Sequence, residues 1–213
     1  MKHSKAVIWT IGILVALAAL YAGFFVSQHG FFKKTIDENT FHGAYLQQPR
    51  ALNPFHLMGI DKKTFDNASL QGHWTIVFFG FTNCGYLCPT TMTKLNKIYR
   101  LLEHKGIKNR PQVVMISIDP QRDTRKKLAQ YVTTFNKDFY GARGEEAVIK
   151  SMTRELGIAY EKITSKAGET TQNYQMEHSG ALIVLNPQGE LNAFFTPPLQ
   201  ADLVVKDLIL LMS

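Results

Sequence analysis

Residues 75–92, TIVFFGFTNCGYLCPTTM, constrain this chain more than any other stretch. The run Thr75–Phe81 is apolar and rich in β-branched and aromatic residues, which predicts a fully buried strand. Thr82-Asn83 breaks the run and leads to Cys84, then Cys88 with Pro89 directly after. Past Pro89 the residues Met92, Leu95, Ile98, Tyr99 and Leu102 fall at helical spacing. The only two cysteines of the chain therefore sit where a buried strand hands over to an amphipathic helix. In α/β folds reactive groups gather there, and the positive end of a helix favours thiolate over thiol.

The spacing matters as much as the place. At i and i+4, a helical turn brings two Cβ atoms within roughly 5–6 Å on one face. Two sulfurs at that distance can grip one soft metal ion or close a disulfide. A structural staple is the weaker reading, because so short a loop constrains the unfolded chain by only about 2 kcal/mol, against ~3 for fifteen residues. Two cysteines are also too few for a disulfide scaffold.

The remaining pattern is that of one α/β domain; 213 residues, 45% of them hydrophobic, can bury one good core but hardly two. The helix after Pro89 ends near Lys105-Gly106 with a C′ glycine. Gln112–Ile118 is a second buried strand, so strand, helix and strand form a right-handed βαβ unit with a parallel pair. Asp119 then reads as the N-cap of a helix with Pro120 at its first position, ahead of a buried face of Leu128, Tyr131, Val132 and Phe135. Asp119 also lies at a strand's carboxyl end, within possible reach of the cysteines. Glu145–Leu156 is a further helix, stopped by Gly157, and Ser165–Thr171 is a polar loop. Gly180–Leu185 is a third buried strand, Asn186–Gly189 turns into Leu191–Phe195, and Gln200–Met212 closes the chain as an apolar helix. Ahead of the core strand, Phe55–Leu57 and Thr64-Phe65 flank a turn at Asp61–Lys63. The expected fold is α/β and thioredoxin-like, with an extra N-terminal β-hairpin and an extra helix.

The amino-terminal end reads differently. Residues 1–5 carry Lys2 and Lys5, and Ala6–Val26 holds 21 residues without a charge. That length fits a transmembrane anchor with Trp9 and Tyr21 at its interfaces, a cleaved signal peptide being the alternative. No arginine precedes Arg50, which speaks against a mitochondrial presequence. The expectation is a cytoplasmic tail at 1–5, an anchor at 6–26 in a bacterial inner membrane, a polar linker at 27–48, and a domain at 49–213 facing the periplasm. Net charge is +7, its densest knot being Arg122, Arg125, Lys126 and Lys127. No nucleic-acid motif accompanies it, so the knot reads as a solvated basic face that docks on an acidic partner or an anionic membrane.

Of seven histidines, His178 stands apart because it enters a buried strand expected to neighbour the cysteine-bearing one. His3, His29, His42, His56, His73 and His104 have no ligand-like company. Two thiolates and an imidazole form a soft set suited to copper, whereas zinc wants a fourth ligand that nothing obvious supplies. On pattern alone His178 is as readily a packed core residue as a ligand.

The chain resembles the Sco/SenC family of copper-binding proteins involved in cytochrome c oxidase assembly. The likeness covers roughly residues 50–212. It rests on FFGFTNCGYLCP, on SIDPQRDT followed by LAQYVTTF, and on YQMEHS before a strand and an NPQG turn. Thioredoxins instead use Cys-x2-Cys and a proline before the later strand, where this chain has Gly180. The resemblance implies that Cys84, Cys88 and His178 are copper ligands. It implies a chaperone that delivers copper to, or prepares the thiols of, the dinuclear copper site of an oxidase subunit. Other copper carriers and thiol reductants are further implied partners. Two departures are Gly85-Tyr86, where relatives often carry Pro-Asp, and Glu177, where an Asp commonly precedes the histidine.

Whether the protein is an enzyme stays open at this point. A thiol–disulfide oxidoreductase would use Cys84 and Cys88 as its redox pair and have no need of His178. A peroxide-reducing enzyme would make one cysteine peroxidatic and the other resolving, with no other local feature in support.

Overall fold

A computed structural model of the chain describes residues 2–28, 40–163 and 174–213. The chain divides into two compact units, Met1–Thr35 and Ile36–Ser213. The first contains one helix, α1 (Lys2–Gln28). Among the described residues no helix is long and apolar enough to cross a membrane. The expected anchor at 6–26 is thereby corrected, and with it the single-pass inner-membrane placement. Residues 29–39 of the expected linker lie outside the described residues, and so does the expected polar loop at 165–171.

The second unit runs β1 (Ala44–Arg50), β2 (His56–Gly59), β3 (Thr64–Asp66), a 3-10 turn at Asn67–Leu70, β4 (Thr75–Gly80), α2 (Leu87–His104), β5 (Gln112–Ser117), α3 (Arg125–Phe135), β6 (Tyr140–Arg143), α4 (Glu146–Glu155), β7 (Tyr160–Ile163), β8 (Gln175–His178), β9 (Leu182–Leu185), β10 (Leu191–Phe195) and α5 (Ala201–Met212). Eight strands form one sheet in the order β1-β10-β9-β4-β5-β6-β2-β3, and β7 and β8 form a separate pair. β4 lies at the centre, parallel to β5 and antiparallel to β9, with Phe78 opposite both Met115 and Leu182. Every residue of β4 is buried, which is why its sequence is continuously apolar rather than alternating. Helix α2 packs against α5, and α3 against β6. This is the expected thioredoxin-like α/β fold, and the N-terminal hairpin appears as β2–β3 around Lys62, whose φ is 71°.

Three expectations shift. Residues 44–48, assigned from sequence to the linker, form the first part of β1 on the sheet edge beside β10. α3 begins at Arg125 rather than Pro120, and its N-cap is Thr124, whose hydroxyl accepts from the Lys127 N–H. Asp119 lies five residues ahead of that cap, and its carboxylate is turned to Arg122 and Tyr174 instead. The basic knot is not one solvated face: Arg122 is largely buried, Arg125 donates to the Ile60 carbonyl at 2.7 Å, and Lys127 bonds Asn83. Of the four, only Lys126 is exposed.

Candidate metal centre

Helix α2 starts at Leu87, so Cys88 lies in its first turn with Pro89 next, where a missing N–H costs nothing. Cys84 lies outside the helix, in the loop that leaves β4. The N-cap residue Tyr86 makes no side-chain cap bond, and the sulfur of Cys84 takes that role by accepting the Cys88 N–H at 3.3 Å. The positive helix end is thus directed at Cys84. Cys88 is fully buried, and its Sγ faces the Phe81 N–H at 3.5 Å and the Nε2 of His178 at 3.2 Å. Gly80 makes room for it, since a Cβ there would lie 3.1 Å from the Cys88 sulfur and 2.6 Å from the Phe78 ring.

His178 is the last residue of β8, outside the main sheet, and Gly180 at φ 68° turns the chain from it into β9. The sequence expectation that a strand beside β4 follows His178 holds, because β9 pairs with β4. The imidazole packs against Phe78 and Phe81, with ring centroids 5.6 and 5.9 Å away. The ligand atoms of Cys84, Cys88 and His178 all lie within 4.8 Å of one another. The structure therefore brings together the three residues that the sequence singles out.

Burial sets the protonation of Cys88 and His178. It pushes the Cys88 thiol well above its ordinary range, against the pull of the helix end. Burial also lowers His178 to about 4, which keeps the imidazole neutral at ordinary pH. Neutral imidazole and a thiol that gives up its proton on coordination fit a soft metal ion. His178 Nδ1 is buried and without a partner among the described residues.

Sequence reasoning missed the groups that hold the cysteine loop. Asp123 is fully buried and accepts from the Thr82 N–H at 3.1 Å, from the Thr82 hydroxyl at 2.5 Å and from the Ser117 hydroxyl at 2.7 Å. It ties the loop after β4 to the end of β5. The Asp-Thr pair in SIDPQRDT was visible in the sequence, but its partners were not. His42, expected to have no company, faces buried Asp207 through Nδ1 at 3.0 Å. Glu177 is exposed beside a groove of about 630 Å³ that also takes in Lys150, Arg154 and Lys162. Tyr86, between the cysteines, is 78% exposed.

A thioredoxin-like sheet whose Cys-x3-Cys loop meets a histidine carried on a separate arm defines a thiol-bearing class with a soft-metal donor set. The sequence profile of SCO1/SenC matches residues 43–213, and the chain belongs to that family. A SCO2-like protein of Rickettsia prowazekii is 32% identical over 142 residues, covering 67% of each chain. The crystal structure of Arabidopsis thaliana ScoI with copper bound is similar at a TM-score of 0.66 with 31% identity, over 74% of this chain and 98% of that one. The solution structure of apo Sco1 from Thermus thermophilus gives 0.69 with 29% identity, over 80% of this chain and 96% of that one.

Proposed function

We propose that this protein is a copper chaperone of cytochrome c oxidase assembly that holds one copper ion through Cys84, Cys88 and His178. The observation that carries this reading is the convergence of those three donor atoms within 4.8 Å. Two sulfurs and one imidazole nitrogen satisfy Cu(I) and Cu(II) alike, and copper-bound Arabidopsis ScoI lends support by likeness. The acceptor is the oxidase subunit that carries the dinuclear copper site. Metal capture expels the Cys88 proton and replaces its contact with His178 Nε2. The neutral imidazole needs no deprotonation.

The test is an anaerobic Cu(I) competition titration of the reduced protein. One copper per chain is expected, with affinity falling by at least about a hundredfold in Cys84→Ser and in Cys88→Ser, since a hydroxyl hardly coordinates Cu(I). Unchanged affinity in either variant would remove copper from the account. A thiol–disulfide oxidoreductase is the second reading, favoured by the contrast between half-buried Cys84 at a helix end and fully buried Cys88. In that reaction the Cys84 sulfur attacks a partner disulfide and Cys88 resolves the mixed disulfide. Two electrons and two protons pass to the partner, leaving the Cys84–Cys88 bond. Oxidase activity in cells carrying His178→Ala separates the two: copper delivery fails, dithiol exchange continues.

A further inference from the structure

The arm that carries His178 is a two-stranded ladder, β7–β8, with no strand pairing to the main sheet among the described residues. Two strands alone are marginal in water, so this pair depends on what grips its ends. At the carboxyl end the chain runs through Gly180 into β9, which the central sheet holds. At the amino end stands Tyr174, buried and directly ahead of β8.

Arg122, from the turn between β5 and α3, closes on Tyr174. Its Nη1 donates to the Tyr174 carbonyl at 2.8 Å, and its guanidinium carbon lies 3.7 Å from the Tyr174 ring centroid. Its Nε donates to Asp119 Oδ2 at 2.5 Å, and the other oxygen of Asp119 accepts the Tyr174 hydroxyl. Lys162 of β7 sets its ammonium 3.7 Å from the centroid of the same ring. The guanidinium also lies 5.9 Å from the ring of Phe81, which walls His178. With Asp119 1% and Arg122 17% exposed, water scarcely competes for these bonds.

We propose that Arg122, with Asp119 and Tyr174, is a positioning clamp that sets the His178 imidazole against the cysteine pair. The clamp thereby tunes the protein's preference between the two copper oxidation states. This rests on the reading of His178 as a ligand. Cu(I) is content with two thiolates, whereas Cu(II) requires further donors and prefers nitrogen among them. A loosened arm therefore costs Cu(II) and spares Cu(I).

The test compares Arg122→Met, Tyr174→Phe and His178→Ala in the full-length protein. Arg122→Met keeps the packed stem and removes fork and charge; Tyr174→Phe keeps the ring and removes the bond to Asp119. Arg122→Met is expected to weaken Cu(II) binding by about tenfold or more, the scale of outer-shell changes at metal sites. The sulfur-to-Cu(II) absorption should weaken with it, while Cu(I) affinity stays within about threefold. In the copper-free protein, amide exchange at 176–178 should quicken by about tenfold with β4 and β9 unchanged. Tyr174→Phe should show the same pattern more weakly. Unaltered Cu(II) binding and exchange in both variants, beside a His178→Ala protein that has lost Cu(II), would overturn the clamp alone. Equal acceleration across β4 and β9 would make Arg122 a general stabiliser and overturn the positioning role. Unchanged Cu(II) binding in His178→Ala would instead sink the ligand reading, and the clamp's role with it.

Discussion

The contact between Cys88 Sγ and His178 Nε2, 3.2 Å long, joins two groups that burial drives toward their neutral forms. The histidine leaves a measurable trace in the copper-free protein. Above pH ~6.5 the ring is neutral whether the chain is folded or not, so it contributes no pH dependence there. Between pH ~6.5 and the folded value of about 4, the unfolded ring takes a proton that the folded ring refuses. Stability therefore falls as pH falls through that window and levels off below it. Between pH 7 and pH 5 the His178 share of the drop in melting temperature should be roughly 4–7 °C, and His178→Ala should remove it. Calorimetry of both proteins at the two pH values checks this, and identical drops would mean that the ring is not held neutral. The residues of the site differ in how openly the sequence shows them. Cys84 and Cys88 declare themselves because they lie four residues apart at a strand–helix junction. Pattern singles out His178 but leaves it as readily a core residue as a ligand, and the family likeness decides, since its nearness to Cys88 depends on a fold spanning 90 residues.

Among the elements, β4, α2, β5, β9, β10 and α5 were legible because each buries a continuous or periodic apolar set. β6 was not, being Tyr140-Gly141-Ala142-Arg143, whose small residues leave room for Leu128 and give no period to read. β7 carries three exposed residues in succession, and β1 is a mostly exposed strand interrupted by Pro49. Edge strands with one wet face and short arms lack the signal that burial writes into a sequence. The loop between β4 and α2 depends on Asp123, whose acceptor oxygens hold Thr82 and Ser117. Asp123→Ala leaves one buried and two part-buried donors without their partner and should cost roughly 2–4 kcal/mol. It should also weaken copper binding, because the loop it releases carries Cys84. Thr124→Ala removes only the α3 cap and should cost about 1 kcal/mol, with copper binding intact. Denaturant unfolding alongside copper titration distinguishes the two; equal copper affinity in both variants would deny Asp123 its hold on the site.

Across the 36–213 unit, the three donors come from three separate pieces of the chain. Cys84 belongs to the loop after β4, Cys88 to the first turn of α2, and His178 to the β7–β8 arm. A ligand that binds all three joins the sheet, the helix and the arm, and an unfolded chain offers no such set. Binding to the folded state alone stabilises it by RT ln(1 + [L]/Kd), about 4 kcal/mol when free copper is a thousandfold above Kd. For a unit of this size, where 1 kcal/mol corresponds to roughly 2–4 °C, copper should raise the melting temperature by about 8–16 °C. Oxidation to a Cys84–Cys88 disulfide should not reproduce this, because that bond joins only the loop and α2 and leaves the arm free. His178→Ala should therefore keep most of the Cu(I) increment, lose most of the Cu(II) increment, and melt as before in the oxidised form. Differential scanning calorimetry of the reduced, Cu(I), Cu(II) and oxidised forms of both proteins supplies the comparison. A Cu(II) increment equal in the two proteins would mean that the arm takes no part in holding the metal.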